Sequence, residues 1–197
     1  MMLIKIVSLL KILMMKKILS KIIFWLIGWE AIGTFDYPKK CIVVAAPHTS
    51  NWDFLIGRCY GYISGVNAKY LIKSSFFVPV LGAFFKWNGG IPVYRASKKN
   101  VVDQIVERFN NTNHFILGIA PEGTRSRVER WRTGFYHISH KAKIPILLLA
   151  MDFKNKKIGV INSIITTGDI DKDMLFIQNQ FKDLKGKIPE NYNPVIR

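Results

Sequence analysis

The chain has 197 residues and carries 29 Lys and Arg against 13 Asp and Glu, a formal net charge of +16. With 49% hydrophobic residues and a mean hydropathy of +0.14 it is too apolar for a disordered chain. Its two cysteines, Cys41 and Cys59, form no C-x-x-C pair, which excludes a disulfide scaffold and suggests buried thiols in a reducing compartment. Two kinds of anionic partner suit such a composition. Nucleic acid usually meets more polar proteins, whereas an anionic membrane surface accepts charge and apolar surface together.

Residues 1–29 contain Lys5, Lys11, Lys16, Lys17 and Lys21 and no acid before Glu30. A membrane-spanning helix needs about 20 consecutive apolar residues, and the longest apolar run here is Ile22–Trp29. A secretory signal would need a small-residue cleavage site, which residues 25–33 do not offer. On a helical wheel the lysines scatter, so no clean amphipathic face forms. Residues 1–33 are therefore expected to be a basic, apolar segment of one or two short helices lying in the interface, with lysines snorkelling toward headgroups. The plainer alternative is a helix pair that only covers the core. Residues 34–197 are expected to form one α/β domain.

Within that domain, Cys41–Ala46 is a short apolar run stopped by Pro47 and predicts a buried strand. A helix is expected over 50–63, capped by Thr49 or Ser50, then a strand at 68–73 and a short helix at 79–87 ending at Asn88-Gly89-Gly90. Further along come a strand at 91–94, an amphipathic helix at 100–109, a strand at 114–120, a helix at 131–142 and a strand at 146–150. Two short strands near 158–161 and 164–167 and a closing helix at 171–184 complete the series. Helices alternating with apolar strands define an α/β class with a mainly parallel sheet flanked by helices. The aromatic group Phe76, Phe77, Phe84, Phe85 and Trp87 is expected to pack in the core, with an acyl tunnel or an interfacial patch as alternatives. Residues 182–197 carry no functional signal.

Three polar segments fall at predicted strand ends, where ligands of open α/β sheets collect. The first is His48-Thr49-Ser50-Asn51-Trp52-Asp53. If His48 sits in the loop and Asp53 in the first helical turn, the carboxylate reaches one ring nitrogen and leaves the other as a general base. The plainer reading makes Asp53 a helix N-terminal acid and His48 an ordinary loop residue. The second segment is Pro121-Glu122-Gly123-Thr124-Arg125-Ser126, followed by Arg127, Arg130 and Arg132. The chain has 21 lysines and 8 arginines, yet half of the arginines fall between 125 and 132. Arginine presents a rigid fork suited to phosphate, so this local switch points to phosphate recognition, with a solvated basic loop as the plainer alternative. The third is Gly89-Gly90-Ile91-Pro92-Val93-Tyr94-Arg95, where Arg95 is either a second candidate phosphate contact or an ordinary surface arginine. His137 and His140 are three apart on a predicted helix, but no third ligand stands at metal spacing, so they read as structural and no metal or resident cofactor is expected.

Together these segments and Ile144-Pro145-Ile146 resemble the four ordered blocks of the glycerolipid acyltransferases, which include bacterial 1-acyl-sn-glycerol-3-phosphate acyltransferases. The resemblance covers about residues 40–150. It implies that His48 takes the proton from an acceptor hydroxyl, that Asp53 orients His48, and that the hydroxyl oxygen attacks an acyl thioester in one direct step. It further implies acceptor-phosphate binding by Arg95, Glu122, Gly123 and Arg125, with Glu122 holding an arginine or a glycerol hydroxyl. Thr49, Ser50, Asn51, Thr124 and Ser126 would support the site. The implied partners are an anionic membrane surface, a lysophospholipid acceptor, and an acyl-CoA or acyl carrier protein donor, with no nucleic acid. The implied location is the cytoplasmic face of the inner membrane. Tyr94 stands where family members often have an acid, which leaves open acceptors other than lysophosphatidate, such as an ornithine-type lyso-lipid.

Overall fold

The computed structural model describes residues 2–33, 36–94 and 100–195, without the side chains of 2–6 and 9. Seven strands form one sheet: β1 (Glu30–Ala31), β2 (Lys40–Ala46), β3 (Lys69–Lys73), β4 (Gly90–Val93), β5 (Phe115–Ile119), β6 (Ile146–Asp152) and β7 (Lys157–Ile164). Their spatial order is β1-β7-β6-β2-β5-β3-β4, and only the β6–β7 pair is antiparallel. The helices are α1 (Met2–Ile27), α2 (Trp52–Ser64), α3 (Pro79–Trp87), α4 (Val101–Asn110), α5 (Gly134–Ala142) and α6 (Ile170–Phe181). The α/β class read from the alternating pattern is what the chain adopts.

Strands β2 and β6 lie at the middle of the sheet and are covered on both faces, which is why they read as continuous apolar runs. Alternate residues face opposite layers. Ile42, Val44, Leu117, Ile146 and Leu148 pack with Phe109, Phe135 and Phe181 from α4, α5 and α6. Cys41, Val43, Ile116, Leu147 and Leu149 pack with Phe24 of α1 and Ile56, Cys59 and Tyr60 of α2. Both cysteines are buried, and burial pushes the Cys41 thiol up to about 12.

Three expectations need revision. The N-terminal segment is one continuous helix of 26 residues rather than one or two short ones, and its last turns pack on α2. The two short strands expected after residue 157 are one strand, β7, whose register with β6 shifts beside Leu148/Leu149. That irregularity mimics a break in the period-2 pattern. The aromatic group around α3 is not core: Phe76, Phe84 and Trp87 are exposed, and the rings meet one another edge-on or tilted. Strand β4, which α3 contacts, is one of the two edge strands, β1 being the other. Among the described residues no helix is long and apolar enough to cross a membrane.

Candidate active site

The parallel register places Val44 of β2 beside Ile119 of β5, so the loops that leave the carboxyl ends of these two strands face each other. One is 47–51, which begins with the cis Ala46–Pro47 bond, and the other is 120–133. This adjacency brings together residues 74 apart in the chain. The His48 backbone N–H donates to Glu122 Oε1 at 2.9 Å, and Arg125 Nη1 donates to Asn51 Oδ1.

Asp53, in the first turn of α2 and 3% exposed, organises the first loop. Its Oδ2 accepts the backbone N–H groups of Thr49 at 2.6 Å and Ser50 at 2.8 Å, and lies 3.0 Å from His48 Nδ1. Its Oδ1 accepts the Ser50 hydroxyl at 3.0 Å. An ionised carboxylate only accepts, so Nδ1 carries the proton it shares with Asp53. Nε2 is then the nitrogen offered to the cavity that His48 lines. The i to i+5 spacing works because His48 precedes the helix, whose first residue is Trp52.

The second loop turns at Gly123, whose φ of +69° lies in the left-handed region that favours glycine. Arg132 packs over this glycine: a Cβ there would stand 2.8 Å from Arg132 Nε. Glu122 points behind the loop rather than toward an arginine. It is 3% exposed, its Oε1 is taken by His48 N–H, and its Oε2 has no partner among the described residues. Burial, opposed only in part by backbone hydrogen bonds and by His48, pushes its carboxyl from 4.5 up to about 7.

A cavity of about 900 Å³ opens beside these loops. His48, Asp53, Gly123, Thr124, Arg125 and Arg132 line it, with apolar walls from Phe54, Ile72, Val102 and Phe135. An apolar cavity with a few converging polar groups is the usual form of a small-ligand site. The arginine cluster divides by role. Arg125 and Arg132 line the cavity, whereas Arg127 donates to the carbonyls of Glu190 and Tyr192. Thr124 accepts the Ser126 N–H at 3.3 Å within the loop. Arg95 lies outside the described residues; Tyr94, just before it, is exposed at the end of β4. His140 is occupied by Thr166 at 3.1 Å and stacks on Tyr136.

The C-terminal segment, which carries no signal in the sequence, reaches this site. Ile188 N–H donates to Thr49 Oγ1 at 3.2 Å, and a Cβ on Gly186 would fall 2.6 Å from the Thr49 side chain. Asn193 donates to the carbonyls of Val128 and Glu129. Residues 185–193 thus form a strap that holds both loops. A solitary Gly186 between lysines gives no periodicity or motif by which sequence reading finds it.

A half-buried histidine paired with a buried aspartate at the mouth of an apolar cavity, with arginines beside it, has the form of an enzyme site that takes a partly apolar ligand. The acyltransferase family model matches residues 30–152, and the chain belongs to that family. The structure is similar to that of the 1-acyl-sn-glycerophosphate (LPA) acyltransferase PlsC from Thermotoga maritima. The TM-score is 0.60 at 17% identity, covering 86% of this chain and 76% of that one. A search of curated proteins returned no match.

Proposed function

We propose that this acyltransferase moves a fatty acyl group from an acyl thioester to the free hydroxyl of lysophosphatidate, giving phosphatidate, at a membrane surface. The observation that carries the reading is the 3.0 Å contact of His48 Nδ1 with the buried Asp53, at the lip of a cavity that also displays Arg125 and Arg132. His48 Nε2 takes the acceptor proton as the oxygen attacks the thioester carbonyl. Asp53 holds the ring tautomer and stabilises the imidazolium. The thiolate of the donor leaves and recovers the proton from His48, so the atoms balance without a covalent enzyme intermediate. General-base assistance of this kind contributes about 10²–10⁴-fold. Arg125 and Arg132 supply the planar donor forks that a phosphate monoester accepts. The donor is an acyl-CoA or acyl carrier protein thioester, and no resident cofactor or metal takes part.

Membrane association, on the cytoplasmic face of the inner membrane, is supported by the distribution of exposed apolar residues. Leu10, Met14, Met15, Ile18, Leu19, Ile22, Trp25 and Leu26 of α1 are exposed, as are Val80, Leu81, Phe84 and Trp87 of α3. Lys16 Nζ sits 4.4 Å from the Trp87 ring and brings the two helices onto one side. Interleaved lysines on such a face suit an anionic leaflet.

The test is a matrix of acyl donors against lyso-lipid acceptors, with protein in anionic vesicles and products read by lipid mass spectrometry. Phosphatidate formation that disappears in His48→Ala is the expected result. Exclusive acylation of an ornithine-type or other lyso-lipid would reassign the acceptor, the outcome that Tyr94 at the β4 end favours. Unimpaired turnover in both His48→Ala and Asp53→Asn would remove the mechanism.

A further inference from the structure

A second cleft, of about 510 Å³, lies beside the catalytic loop. Its walls come from the α1 end (Ile27, Trp29), from Trp52 at the start of α2, from the β6–β7 turn (Lys154, Lys156) and from the strap (Lys185, Lys187). No acidic residue lines it. Lys156 is committed, because its Nζ donates to the Ile27 carbonyl at 3.0 Å and so satisfies the C-terminal end of α1. Lys154, Lys185 and Lys187 are exposed and have no acidic partner among the described residues. Two sequence-distant segments, the β6–β7 turn and the strap, therefore bring three unpaired cations into a cleft that two indole rings also line.

We propose that this cleft holds the phosphate headgroup of an anionic membrane phospholipid as a fixed anchor, separate from the acceptor phosphate in the catalytic cavity. The inference rests on the membrane-surface reading above. Two observations favour a lipid over a soluble phosphate compound. The cleft begins where the exposed apolar stripe of α1 ends, since Trp25 and Leu26, at 79% and 67% exposure, precede its lining residue Ile27. A headgroup seated there would stand at the end of α1 that carries the exposed Trp25 and Leu26. Trp29 and Trp52 supply the amphipathic rings that favour the headgroup level of a bilayer. The volume lies within the range of small-ligand sites, about 300–1,000 Å³. Because Trp52 directly precedes Asp53 and Gly186 rests on Thr49, a headgroup here would hold the catalytic cavity at the depth of the lyso-lipid hydroxyl.

The test compares Lys185→Gln/Lys187→Gln with a charge-matched control, Lys172→Gln/Lys182→Gln, whose exposed lysines belong to α6 and its C-terminal cap. Flotation is measured with vesicles of phosphatidylcholine alone and with phosphatidylglycerol added. Native mass spectrometry of detergent-released protein reads retained phosphatidylglycerol. Wild type and control should bind the anionic vesicles alike and retain one lipid. The cleft pair should lose on the order of tenfold or more in anionic-vesicle affinity and lose the retained lipid. Equal binding by the cleft and control pairs would overturn the cleft. A raised KM for a CoA donor with unchanged vesicle binding would also overturn it, reassigning the phosphate to the donor. Wild-type protein that ignores both kinds of vesicle would instead remove the membrane reading itself.

Discussion

Replacing Glu122 with Gln separates the structural duty of this residue from its charge. The carboxyl is 3% exposed, its Oε2 is unpartnered, and burial holds it at about 7 rather than 4.5. Between those two values the folded protein keeps a proton that the unfolded chain has released. Stability therefore falls as pH rises through this window and the cost is complete above about 7. Moving from 4.5 to about 7 at about 1.4 kcal/mol per pH unit makes that cost about 3 kcal/mol. Gln retains an oxygen to accept the His48 N–H but cannot ionise. The measurement is urea or thermal unfolding, followed by tryptophan fluorescence in mild detergent, for both proteins across the acid-to-neutral range. Groups remote from residue 122 cancel in the difference, and His48 and Asp53, which act electrostatically on this carboxyl, are present in both proteins. The wild type should lose on the order of 3 kcal/mol relative to Glu122→Gln as pH rises past 7, or roughly 6–12 °C in Tm for a domain of this size. Parallel stability-versus-pH curves would refute the burial argument. The buried amide NH2 of Gln shifts its curve uniformly and leaves that difference in slope intact.

Other predictions address the remaining supports of the site. His48→Ala should lower turnover by about 10²–10⁴-fold with the fold retained, read by circular dichroism beside the transfer assay. Asp53→Ala should cost stability as well as activity, because it strands the buried N–H groups of Thr49 and Ser50. Each stranded donor costs about 1–3 kcal/mol in chemical denaturation. Gly123→Ala is forced into a φ of +69° and against Arg132. It should raise the acceptor KM more than it lowers kcat, and an unchanged KM would separate Arg132 from phosphate binding. Gly186→Ala drives a Cβ to 2.6 Å from Thr49 and should lower kcat on the order of tenfold or more with KM little changed. Thr49→Ser in that background removes the Cγ2 clash, keeps the hydroxyl that Ile188 uses, and should restore part of the rate.

Much of the architecture is legible from local signals. The amphipathic stripe Val101, Val102, Ile105, Val106 and Phe109 specifies α4, and Asn100, whose side chain accepts from Asp103 N–H, marks its start. The apolar runs at 41–46 and 146–150 specify β2 and β6, because a strand covered on both faces has no polar side to display. The Asp–His pairing is legible too, since both residues lie within one strand–loop–helix unit. The aromatic group of α3 misleads the same reasoning, because hydrophobicity alone does not distinguish a core from an exposed face.

The sequence by itself determined the strand–helix alternation, the His48–Asp53 pairing and the concentration of arginines after Glu122, all set by residues close together in the chain. Only the tertiary structure decided what lies between distant segments. It turned Glu122 behind the loop onto the His48 amide, assigned Arg125 and Arg132 to the cavity and Arg127 to the strap, and laid Gly186 against Thr49. It also gathered Lys154, Lys185 and Lys187 into one cleft from turns that look like scattered charge. The physical reason is that parallel strand register, not chain spacing, sets which loops meet at the carboxyl edge of the sheet.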